Sequence, residues 1–252
     1  MFGIRSRPLS RSSLRSLILP LVVLACNGDQ SRVLAPRVYS LNSSEDHNPR
    51  IIPPNGRYAG LTYGDWLAKS FQLEYAVPVP DNSAILGNED KLSIGQSDQL
   101  WILQSVSPPP QERHFTVPAG KALYITIFTW ESDNFLCVEP NTNLTVPELR
   151  ALAQSMVDGI PGPFQVEVDG RLVENVAQYR ATSPVFNATL PNNNLLQFLG
   201  CVDALPGTYG PMVADGYALI LPPPAVGEHT IRESFQNYGD LVWHITVVPH
   251  RL

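Results

Sequence analysis

The residues of this 252-residue chain that could do chemistry are few, and most lie far apart. One acidic group is Glu131-Ser132-Asp133-Asn134, with Glu139 close behind. Carboxylate and amide oxygens are hard ligands of the kind calcium takes, and Glu131 and Asp133 are the candidate ligand loop. The EF-hand spacing is absent, so the competing account is a solvated loop of caps and turns. The five histidines, His47, His114, His229, His244 and His250, are scattered. No HExxH and no close pair occurs, so a transition-metal site has no local signature and would have to be assembled from distant strands. Beyond residue 26 only Cys137 and Cys201 remain. In an exported chain such a pair reads as a disulfide closing a loop of about 64 residues, with two buried thiols as the alternative. A cysteine nucleophile lacks an accompanying histidine motif.

Hydrolase chemistry has no clear address. The G-x-S-x-G elbow of α/β-hydrolases is missing. A polysaccharide lyase needs a base, an acid and a group that neutralises a uronate. Tyr124, His114, Arg180, Tyr179, His229, Arg232 and His244 are available for those roles if the fold gathers them on one concave face. A glycosidase with paired carboxylates could use Glu131. A binding module asks for less. Aromatic faces stack on sugars while Asn, Asp and Gln bond the hydroxyls, and the chain carries four Trp and nine Tyr. Core packing uses the same residues, and Trp130 and Trp243 are expected there.

What must position these groups begins with a leader. Residues 1–15 are basic and serine-rich, and Leu17 to Ala25 is an apolar stretch of signal-peptide length, too short to span a bilayer. Val23-Leu24-Ala25-Cys26 resembles the lipobox of bacterial lipoproteins. That resemblance implies a signal peptide over 1–25, lipid attached to Cys26, and an address at the outer membrane or cell surface, with membrane contact through the lipid alone. Residues 26–56 are polar, proline-containing and aperiodic, and read as a disordered tether. The formal net charge is −6, and removing the leader takes away four arginines and no acid, leaving about −10. That balance excludes a nucleic-acid partner held by phosphate contacts, and leaves only a local basic pocket as a means of holding an anion.

Residues 57–252 read as one domain. Leu61-Thr62-Tyr63-Gly64-Asp65-Trp66 is a capping box with a hydrophobic staple, opening a helix that Pro78 and Pro80 close. The same pattern at Leu144-Thr145-Val146-Pro147-Glu148-Leu149 predicts a helix over 146–158. Its apolar stripe is Leu149, Leu152, Ala153, Met156 and Val157, with Gly159 as C-cap. His114 to Glu131 reads as strand, Pro-Ala-Gly turn, strand. Ala122 to Trp130 is uncharged on both alternating faces, which predicts a strand covered on both sides. Asp169-Gly170 between two short strands predicts a hairpin. Further strands are expected at 100–103, 216–221, 229–235 and 241–248, and 175–199 is irregular. About eight strands and two helices make a mainly all-β chain. The expected architecture is an antiparallel β-sandwich or jelly-roll-like domain with two short helices in its connections.

Tyr63-Gly64-x-Trp66, Val117-Pro118-Ala119-Gly120-Lys121, Asp215-Gly216-Tyr217 and Gly227-x-His229-Thr230-Ile231 together resemble a group of secreted bacterial proteins with no established activity. The resemblance spans roughly residues 57–249 and assigns no residue a role. The reading that follows is a lipid-anchored surface protein that binds or scaffolds, with a glycan or envelope component as partner and no cofactor required, calcium being the one candidate ion. The rival is an extracellular carbohydrate-active enzyme.

Overall fold

The computed structural model describes residues 49–249 except 98, 107–108, 136, 138–142, 161–163 and 237. The leader, Cys26, nearly all of the tether, His47, Glu139 and His250 lie outside the described residues. No helix among those described is long and apolar enough to cross a membrane.

Ten strands form two five-stranded sheets, the layers of a β-sandwich. The first sheet runs β1 (Leu100–Leu103), β3 (Ala122–Ser132), β8 (Gly207–Leu221), β6 (Arg180–Thr182), with β7 (Phe186–Leu190) also paired to β8. The second runs β2 (Gln111–Pro118), β10 (Gly239–Val248), β9 (Gly227–Phe235), β4 (Phe164–Val168), β5 (Arg171–Leu172). The sheets are mixed: β1 lies parallel to β3 and β2 parallel to β10, while the other pairs are antiparallel.

The expected pairing across Pro118–Lys121 does not occur. β2 pairs with β10 and β3 pairs with β1 and β8, so the turn carries the chain from one sheet to the other. The two strands have different burial needs. β2 alternates, with Glu112, His114 and Thr116 exposed and Arg113, Phe115 and Val117 buried, as a strand with one solvated face should. Ala122 to Ile125 of β3 are fully buried, in a strand flanked by β1 and β8 and packed against α2. With β2 in the opposite layer, β1 and β3 return to the same sheet in the same direction, which produces a parallel pair.

α1 (Tyr63–Ala76) starts at the capping box: Asp65 N–H donates to Thr62 Oγ1 at 3.1 Å and Thr62 N–H to Asp65 Oδ2 at 2.9 Å. It lies against β6, β7 and β8. The approach depends on Gly64, where an added Cβ would sit 2.3 Å from the Thr182 carbonyl oxygen. Tyr63 ties α1 to the N-terminal segment and to β8 by donating to Ile52 O at 2.7 Å and accepting from Ile220 N–H at 3.1 Å. α2 (Val146–Asp158) packs on β3 and β8 with Leu149, Ala153 and Val157. Its buried stripe is narrower than expected, since Leu152 and Met156 are exposed, and Gly159 closes it in an ordinary right-handed conformation. The segment 175–199, expected to be irregular, supplies β6, β7 and a single-turn helix, α3 (Leu195–Phe198), capped by Asn194. Asp169 and Gly170 both have positive φ and turn β4 into β5, as the Asp-Gly pair requires. Trp243 is fully buried against Phe115, but Trp130 is 38% exposed toward the end of β3, so only one of the two tryptophans is core.

Candidate functional site

The far end of β3 and the last turn of α1 build an acidic pocket. β3 delivers Glu131 and Ser132, Asp133 follows directly after the strand, and α1 delivers Glu74 and Tyr75. Tyr75 Oη–H donates to Glu131 Oε2 at 3.1 Å, and Gln104 Nε2–H bridges Glu74 Oε2 at 2.8 Å and Ser70 O at 3.0 Å. Asp133, 4% exposed, accepts from the Phe135 amide and lies within hydrogen-bonding reach of Glu131. Burial holds the Glu131 carboxyl well above its usual range, and the Asp133 and Glu74 charges push it further. Burial likewise lifts Glu74 to about 7, and Tyr75 is raised by burial and then by the neighbouring Glu131. Glu131 and Glu74 are therefore held toward their protonated forms, and a calcium ion on Glu131 would have to displace a proton.

Glu74 carried no sequence expectation, yet a signal was present. It lies in the last turn of a helix with no basic residue there, where a negative charge opposes the helix dipole.

The seven residues available to a lyase do not converge. Tyr124 is buried in the core and Tyr179 packs on Tyr63. Arg180 is held by Asp215 at 2.6 Å and Asp158 at 2.5 Å. Arg232 faces Asp240 at 3.3 Å on the outer side of sheet two. His114 and His244 do meet: they are directly paired on β2 and β10, with ring centroids 4.5 Å apart.

His229 belongs to a different feature, a cleft of about 490 Å³ at one end of the sandwich. The floor comes from the core, including Leu123, Ile231 and Ile245, and Pro222 to Pro224 form a wall. Arg50, at the start of the folded domain, and Arg171, just after the Asp-Gly turn, stand at the rim. Neither arginine has a carboxylate partner among the described residues. His229 Nδ1 bonds Asp169 Oδ2 at 2.8 Å and Nε2 bonds Ala225 O at 2.9 Å. Burial pulls its pKa down, but these two acceptors outweigh it and the net shift is upward. The β4–β5 turn thus sets Arg171 and the His229 partner Asp169 side by side. In an acidic protein this is a local basic pocket with an apolar floor.

Cys137 and Cys201 are disulfide-bonded, with Cα atoms 5.2 Å apart, joining the loop after β3 to the loop after α3. Comparison with known protein families, with curated proteins and with solved structures finds no match for this chain.

Proposed function

We propose that this is an exported, lipid-anchored binding protein of the bacterial cell envelope, and that it captures an anionic glycan in the Arg50–Arg171–His229 cleft. The carrying observation is the placement of two arginines that have no carboxylate partner among the described residues beside an upshifted histidine, in a chain whose mature charge is about −10. Bulk electrostatics would repel an acidic polymer, so recognition has to be local, and guanidinium groups suit bidentate contact with carboxylates. The apolar floor and proline wall offer a surface for the C–H faces of a sugar ring. The lipobox-like Cys26 and the tether support a location at the outer membrane or cell surface, and the disulfide is consistent with an oxidising compartment.

A screen of uronate-bearing and matched neutral glycans tests this reading. Acidic glycans should be retained and their neutral counterparts not. The Arg50→Ala, Arg171→Ala double variant should bind at least tenfold more weakly, since each charge-assisted contact contributes about 1.5–3 kcal/mol. Equal retention of neutral glycans, or no loss in the double variant, refutes it. Any glycan retained should then be assayed for chain cleavage. Turnover would move the protein to the carbohydrate-active enzymes, a reading that the dispersal of the seven lyase candidates does not favour.

A further inference from the structure

The outer face of sheet two brings together three side chains that are far apart in the sequence. β2 and β10 run parallel in a register that sets His114 directly beside His244 and Glu112 beside Val242. Alternation along both strands sends Glu112, His114 and His244 to the same solvated face. The imidazole rings stack at 4.5 Å with 11° between their planes. Glu112 Oε2 lies 3.5 Å from His244 Nε2. One donor atom from each of the three residues falls within 4.8 Å of the others. His244 Nε2 is enclosed and has no hydrogen-bond partner.

From this we propose that Glu112, His114 and His244 form a binding site for a first-row transition-metal dication, with zinc the best match. Two imidazoles and a carboxylate are a common borderline ligand set for zinc. Four-coordinate zinc with bonds of about 2.0–2.1 Å places its ligand atoms roughly 3.3 Å apart. The Glu112–His244 spacing is already near that value. The two rings lie nearly parallel, so binding one ion also requires the His114 and Glu112 side chains to rotate until their donor atoms converge with His244 Nε2; both residues are exposed on that face. A metal would also give the enclosed Nε2 of His244 the partner it lacks. His114 further lines a hollow of about 250 Å³ with Glu89, Asp90 and Trp101, so the fourth position opens to water or an exchangeable ligand. The competing account is a cross-strand ring pair that only stabilises the sheet.

The test uses the full chain without a histidine tag, stripped with EDTA. Zinc titrated by calorimetry should bind at one ion per chain. Affinity should fall roughly tenfold or more in His114→Ala and in His244→Ala alike, and less in Glu112→Gln, while His229→Ala leaves it unchanged. Copper(II) bound to the unmodified protein should show two imidazole nitrogens by electron paramagnetic resonance, a readout that does not depend on the variants folding. No saturable zinc binding, binding that survives the His114→Ala, His244→Ala double variant, or coordination by a single imidazole would each overturn the proposal.

Discussion

Glu74→Gln should make the protein more stable at pH 8 and leave it nearly unchanged at pH 4.5. The glutamate pKa is lifted from 4.5 to about 7 by burial in the pocket beside Tyr75, Glu131 and Gln104. A raised folded-state value means that the unfolded chain releases its proton first. Below pH 4.5 both states are protonated and the burial of Glu74 carries no charge penalty. Between 4.5 and about 7 the unfolded state ionises ahead of the folded one, and stability falls with rising pH. Above 7 the loss is complete. An upward move of that size corresponds to roughly 3 kcal/mol. Glu74 is only half-buried as a residue, so solvent screens part of this and about 1–2 kcal/mol is the expected loss. Glutamine keeps an oxygen for the Gln104 amide and removes the charge. Urea denaturation of both proteins at pH 4.5, 6 and 8, with the disulfide intact, gives the comparison. The unmodified protein should lose stability across the series, and the variant should lose about 1–2 kcal/mol less. Parallel curves for the two proteins would show that the Glu74 carboxyl is solvated, and the account of the acidic pocket would fail with it.

Replacing both Cys137 and Cys201 with serine should lower stability by about 4 kcal/mol, the chain-entropy value for a 64-residue separation, measured by denaturant midpoint against the oxidised protein. Gly64→Ala should lower the melting temperature markedly, by the equivalent of about 2 kcal/mol or more, because α1 must lift off the Thr182 carbonyl to admit the methyl group; an unchanged melt would contradict the close approach of α1 to β6. Cys26→Ala should abolish incorporation of labelled fatty acid in a bacterial host and move the protein from the membrane fraction to the soluble exported fraction; labelling that persists would remove Cys26 as the anchor.

The sequence by itself determined what depends on a few neighbouring residues. Thr62 with Asp65 and Thr145 with Glu148 start two helices because the reciprocal cap closes within four positions, and Asp169-Gly170 turns a hairpin because both residues tolerate positive φ. The uncharged faces of Ala122 to Trp130 announced a strand covered on both sides, which holds for Ala122 to Ile125 and lapses by Trp130, and with Cys26 set apart at the lipobox-like motif only Cys137 and Cys201 were left to pair. Only the tertiary structure decided which strands share a sheet. The turn at Pro118–Lys121 suits a hairpin or a crossing between layers equally well, and the choice rests on β10, more than a hundred residues away, taking the place beside β2. That choice is what sets His114 against His244. Arg50 and Arg171 reach one cleft, and Glu74 reaches Glu131, by the same route. Local caps and turns are written in bonds between near neighbours. Pairings across long loops are settled by which layers bury the most apolar surface together, and that competition is decided over the whole chain.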